Sequence, residues 1–347
     1  MAVITNEKLI GIKDQIAARN AKLKRFVEMY AANTWDNVQL DVRSMSRAAL
    51  LAKYPIGTEM ICEYNYNGNA YEYPWIVGDV RDVEWQDGTI HQGLWLLSKY
   101  GTIESIQFDA PEAVETDDTV AQAGVYYFYK NGADFVLLSV ATGETLPTEH
   151  GQLYKHRFNQ PSILRYGYNN YKDSAVRQWL TSEAIRGEWW AAQHDYDVAP
   201  DQATTEDGFL YRLDPELVSV LTPIKISVSA NTVTDGGRTD VMYDKVFLQS
   251  LEEVYGSPQA AGIEGAYVPW WKDATGYSSP TSGSSSNVVD ARKIKKLNAQ
   301  SGAAVYAWLR SALRGNANGA WSFSTTGYLY ANGANTSLTP LPACVIS

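Results

Sequence analysis

The chain has 347 residues, 45% hydrophobic and 20% charged, a balance that excludes wholesale disorder. A net charge of −10 argues against a nucleic-acid binder, which would carry a basic stripe, and serves mainly solubility. An aromatic share of 12%, with 23 Tyr and 11 Trp, favours large β surfaces and interfaces, since both side chains join an apolar body to a polar tip.

The length suggests two or three units. Cys62 and Cys344 are the only cysteines, and a secreted domain of this size that needed disulfides would show more. Both are expected to pack as small unpaired hydrophobes. The opening MAVITNEKLI lacks the basic and apolar regions of a signal peptide, and no apolar run is long enough to span a membrane. The expectation is synthesis in a cytoplasm and no membrane insertion.

The first predicted element is helical. Leu9, Ile12, Ile16, Arg19, Leu23, Phe26 and Tyr30 alternate spacings of three and four, which is a heptad seam, with Asn6 and Glu7 as its start. Six of the seven seam positions are apolar. The pattern fits an oligomerising coiled coil over residues 6–30 or an amphipathic helix lying on its own domain. Arg19 lowers seam stability but can fix register. After a polar stretch from Asn33 to Asp41, Ser44 or Ser46 can cap a short helix, SRAALLAKY, ended by Pro55.

The period then changes. Runs rich in Tyr, Trp, Ile and Val are punctuated by Asn67-Gly68, Asp87-Gly88 and Asn131-Gly132, which read as tight hairpins in a small antiparallel β unit. Further on, Asp173 or Ser174 caps a predicted helix SAVRQWLTSEAI, and residues 243–255 read as a strand or turn leading into LQSLEEVY. The stretch GYSSPTSGSSSNVV reads as a mobile loop, and the basic run ARKIKKLNAQ after it as a solvated face.

The motifs of common enzyme classes are missing: no G-x-G-x-x-G, P-loop, H-E-x-x-H, G-x-S-x-G or C-x-x-C occurs. The histidines are His91, His150, His156 and His194, and the six-residue step between His150 and His156 is poor metal spacing. Asp195 and Asp197 around Tyr196, and Glu206-Asp207-Gly208, lack the pattern of a calcium loop and read as acidic turns. No catalytic residue, metal ligand or cofactor site is assigned.

The segment from Tyr306 to the last residue is the most informative. Trp308, Leu309, Trp321, Phe323, Cys344, Val345 and Ile346 bracket a run of Asn, Ser, Thr, Tyr and Gly that contains no His, Asp or Glu. Tyr provides rigid contact area and Ser, Asn and Gly adaptable hydrogen bonding, the composition of a paratope. Asn316, Asn318, Ser324, Thr325, Tyr328, Tyr330, Asn332 and Asn335 are therefore expected to form one exposed ligand-binding face. Trp308, Leu309, Trp321 and Val345 are expected to be its buried frame.

The ordered series RYGYNNYKDSAVRQWLTSE, GFLYRLDPELVSVLTPIKI, DVMYDKVFLQSLEEVYG, YAWLRSALRG and LPACVIS resembles the C-type-lectin-like domain of phage and prophage proteins. It is similar to the variable proteins of diversity-generating retroelements and, distantly, to the formylglycine-generating enzyme fold. The resemblance implies an α+β protein in three parts. Residues 1–42 would be a helical oligomerisation segment, 43–149 a β-rich module and 150–347 the lectin-like domain. The copper-binding cysteine pair of the enzymes is missing, as are the sugar motifs of calcium-dependent lectins, so neither activity carries over. What the resemblance implies is a non-enzymatic bacteriophage virion protein, attaching as a tail or fibre component to a host-surface glycan or protein. Its partners would be itself, as a homotrimer through Leu9, Ile12, Ile16, Leu23, Phe26 and Tyr30, and other virion proteins. The alternatives are a capsid head-fibre or decoration protein without a receptor role, and a prophage-encoded surface-binding protein.

Overall fold

The computed structural model describes residues 34–256, 263–272 and 303–347, with isolated positions 13, 292, 295 and 296. The seam residues Leu9, Ile12, Ile16, Arg19, Leu23, Phe26 and Tyr30 lie outside the described residues, as do the Gly/Ser stretch and most of the basic run. The polar stretch after the seam is helical, which corrects the sequence reading: α1 (Trp35–Ser44) starts at Thr34, whose side chain accepts from the Asn37 amide. Trp35, Val38 and Val42 form a buried stripe on that helix. The boundary drawn at residue 42 therefore falls inside a helix that belongs to the core. α2 (Arg47–Lys53) starts at Ser46, as the sequence suggests, and stops two residues before Pro55.

Three long strands follow, β1 (Glu59–Tyr66), β2 (Asn69–Glu84) and β3 (Ile90–Ser98). The turn between β1 and β2 holds Asn67 at φ 50 and Gly68 at φ 76, the left-handed pair that a two-residue hairpin requires. Next come β4 (Ile106–Gln107), β5 (Val114–Thr116), β6 (Tyr126–Asn131), β7 (Asp134–Leu137) and β8 (Leu153–His156). The strands β5, β8, β6 and β7 form a separate antiparallel sheet in that order.

Short helices dominate the next stretch: α3 (Pro161–Tyr166), α4 (Ala175–Thr181), α5 (Phe209–Arg212) and α6 (Pro215–Val220). Ser174 caps α4 as expected, but the helix stops at Thr181 and the expected extension to Ile185 does not form. The cause is tertiary. The Ser182 carbonyl accepts from the Leu210 and Tyr211 amides, and the Gly208 backbone lies against Ser182. Then come β9 (Ile224–Ser229), β10 (Thr239–Asp244), β11 (Val246–Leu248) and α7 (Leu251–Tyr255), the last opened by a Ser250–Glu253 capping box. The chain closes with β12 (Lys295–Lys296), β13 (Ala304–Val305), β14 (Ala307–Ala312), β15 (Gly319–Phe323), β16 (Leu329–Gly333), β17 (Ser337–Pro340) and β18 (Pro342–Ile346).

Two five-stranded sheets organise the molecule. One runs β1-β2-β3-β18-β11 and the other β16-β15-β14-β17-β4. The first is antiparallel throughout, and the second has one parallel pair, β14 with β17. Strands from residues 43–149 and 150–347 thus share both sheets, and one apolar cluster runs from Trp35 to Ile346. The architecture is α+β. Cys62 and Cys344 are buried and unpaired, and burial pushes both thiols up.

At the centre of the core sits a charge. Arg310 on β14 is 1% exposed and bonds both carboxylate oxygens of Glu253 at 2.7 Å. It also donates to the carbonyls of Leu248, Ser227 and Glu264, tying β14 to β9, β11 and α7. Breaking such a pair strands a buried carboxylate, at a cost of about 3–5 kcal/mol. Arg310→Met should therefore lower the urea midpoint by a corresponding amount, and an unchanged midpoint would remove the pair from the core's stability.

Candidate ligand-binding face

The expected face is built on the edge of the second sheet. Cross-strand register puts Trp308, Ser322 and Tyr330 in one row, and Asn332 follows Tyr330 on the same side of β16. β14 and β15 are buried along their whole length, so only β16 and its flanking turns can meet a ligand. Tyr330 is 52% exposed and sits edge-on to Tyr306, with ring centroids 5.9 Å apart. Asn332 donates to the Ser322 hydroxyl at 2.8 Å, which holds its amide against β15. Thr325 is exposed in the β15–β16 turn, and Tyr328 is half-buried beside it.

The expectation of eight exposed side chains needs correction. Ser324 is buried, and its hydroxyl accepts from the Tyr328 amide to shape the turn. Asn316 accepts from the Asn318 and Gly319 amides, so its side chain is committed to the loop before β15. Asn335 donates to the Arg165 carbonyl and anchors the turn after β16 to α3. Asn318 is half-buried in the loop that Asn316 shapes, and its carbonyl accepts from the Ala334 amide. The exposed part reduces to Thr325, Tyr328, Tyr330 and Asn332, joined by Tyr306. The frame is as the sequence suggests: Trp308, Leu309 and Val345 are fully buried and Trp321 is 9% exposed.

Sequence reasoning passed over the residue that organises one end of this face. Asn169 is fully buried, and its amide donates to the carbonyls of Leu313, Asn316 and Gly319. Its oxygen accepts from Asn231, whose own oxygen accepts from the Val233 and Thr234 amides. One side chain thus joins two loops to β15. The signal was present in the Tyr-Asn-Asn-Tyr run, just after Gly167, where φ is 76 and a Cβ would come within 2.7 Å of the Asp109 and Ala110 carbonyls.

Elsewhere, charges are spent within the fold. Glu104 is buried against Tyr64 and Arg212, and burial pushes its carboxyl up despite the guanidinium. Glu206 and Asp207, read from sequence as an acidic turn, both pair with Arg212. Burial alone would raise Asp207, but Arg186 and Arg212 outweigh it and hold it down at about 2. A cleft of about 230 Å³ is lined by Arg81, Trp95, Lys225, Glu264 and Arg310, of which Glu264 and Arg310 already serve the core. Among the described residues, no group of three or more His, Cys, Asp or Glu is placed to hold a metal.

The fold defines an α+β protein whose second sheet ends in an uncharged edge at β16. Over residues 148–347 the chain matches the family described as "Domain of unknown function (DUF6273)", and it belongs to that family. No curated protein and no solved structure matches it.

Asn169→Ala would leave three carbonyls without their shared donor. Losing buried hydrogen bonds of this kind costs about 1–3 kcal/mol. Hydrogen exchange of residues 313–319 should rise in the variant. Exchange equal to wild type would show that the loop holds its shape without Asn169.

Proposed function

We propose that this protein is a non-enzymatic virion protein that presents its C-terminal domain, on a C-type-lectin-like scaffold, to a host-surface glycan or protein. The observation that carries the binding reading is the uncharged edge row of Tyr306, Tyr330 and Asn332, set beside β14 and β15, which are buried along their whole length. Rigid aromatic area beside oriented amides suits contact more than chemistry. The scaffold and the virion setting rest on the ordered motif series of the sequence. In this reading the seam of residues 6–30 joins copies of the chain, so that several faces engage one surface together and affinity multiplies.

Two experiments test the proposal. Tyr330→Ala removes an exposed aromatic, and truncating such an anchor costs about 2 kcal/mol of binding, roughly 30-fold. Pull-down of host cells should weaken by that order while thermal unfolding stays within about 0.5 kcal/mol of wild type. Equal binding by variant and wild type would remove this face from the site. Leu23→Asp puts a charge on the seam and should dissociate the assembly in light scattering. A wild-type chain that runs as a monomer at micromolar concentration would overturn the oligomer.

A further inference from the structure

Residues 114–156, which carry the four-stranded sheet, leave the body of the fold and return to it through one paired base. Val114 on β5 lies opposite Lys155 on β8, so Glu112 and His156 flank the base of this excursion. Their side chains meet there: His156 Nε2 and Glu112 Oε2 are 2.5 Å apart, both almost wholly buried. The Phe158 amide donates to His156 Nδ1 at 3.0 Å. That nitrogen is therefore unprotonated, and the ring's hydrogen sits on Nε2 and is donated to Glu112. The Asp109 carboxyl hydrogen-bonds the Glu112 carboxyl from the body side.

The surroundings favour keeping a proton between the two carboxyls. Asp197 faces them, fixed by the Gln193 and His194 amides, with His194 Nδ1 at 3.4 Å from its other oxygen. Asp173 lies behind His194, 4.0 Å from its Nε2. A cation beside the carboxyls, Arg157, lies over the rings of Phe158 and Tyr168. Tyr196 covers the His156 ring, with centroids 5.2 Å apart. Two touching carboxyls away from water do not both ionise.

We propose that Asp109, Glu112 and His156 form a pH-operated latch, which fixes the sheet of residues 114–156 to the body and releases it when the carboxyl pair gives up its proton. Further ties lie where α3 packs on β7 and where an Arg165–Asp134 ion pair sits at the surface. Burial and the Asp197 charge push Glu112 up to about 8, while burial and Arg157 hold His156 down at about 4. In the open state the carboxyls return to the ordinary range near 4. From the ordinary histidine value of 6.5 up to about 8, the closed state thus holds a proton that the open state has lost. Closure weakens as pH rises across that window, by about tenfold per unit for each proton held. His156 acts in the opposite sense, but only below 6.5, where the open state begins to bind its proton.

Hydrogen exchange of the full chain, corrected for intrinsic rates, at the two ends of this window tests the latch. Peptides from residues 114–156 should lose about tenfold or more in protection at the upper end, while those of β1–β3 and β18 keep theirs. The double variant Asp109→Asn, Glu112→Gln has no carboxyl to titrate at this point and should show no such loss. Equal protection of residues 114–156 in wild type at both ends would overturn the proposal, and so would an undiminished loss in the double variant. The wild-type comparison decides even if the double variant fails to fold.

Discussion

The Arg310–Glu253 pair is the constraint around which the core is arranged. A guanidinium at the centre of an apolar cluster is tolerated only when its donors are matched, because an unpaired charge there costs several kcal/mol. Here the acceptors come from Glu253 on α7 and from the carbonyls of Ser227, Leu248 and Glu264. No single element supplies them, so β9, β11, α7 and β14 must arrive together. Glu253 serves twice, since it also accepts from the Ser250 amide to start α7. A shift of β14 by one residue would turn Arg310 to the opposite side of its sheet. The charge thereby sets the register of β14, two strands in from the β16 edge.

The family-matched region is not self-contained. Its last strand, β18, lies between β3 and β11, and β3 belongs to the part before residue 148. β17 likewise pairs with β4 from the earlier part. Residues 148–347 alone would leave an open, wholly apolar edge on β18, the kind of edge that invites pairing with another chain. The earlier strands are therefore part of the same folding unit, although the sequence texture changes near residue 150.

What was legible in the sequence was local. Asn67-Gly68 announced a hairpin because few other residues accept two left-handed positions in a row. Ser46 and Ser174 marked helix starts because their side chains reach the amides three residues on. What was not legible depended on distance. α1 carries only three apolar contact residues among Asp, Asn and Gln, and its stripe has meaning only once β3 and β18 are in place to cover it. α4 stops early because the Gly208 backbone arrives to take the space. On the face, residue types were informative but roles were not. Asn316 and Asn335 have the composition of contact residues, yet both are consumed by turns, whereas Tyr330 is exposed and Asn332, held to Ser322, is half-buried beside it on β16. Pairings such as Asn169 with Asn231, or Glu112 with His156, join residues dozens of positions apart and leave no periodic trace.

The contact between α1 and Ser347 bears on how the protein carries load. Arg43 donates through Nε and Nη2 to the Ser347 backbone oxygen, Gln39 reaches the same oxygen, and Trp85 bonds the Ser347 hydroxyl. A pull transmitted through the residues before α1 thus passes into β18 and, through its ladders with β3 and β11, across the first sheet. The second sheet meets that line through Leu341, between β17 and β18, and through the Arg310 bond to the Leu248 carbonyl, so Tyr330 on β16 sits two strands beyond the nearer junction on β14. Strain entering at α1 must therefore cross β14 and β15 before it reaches Tyr330.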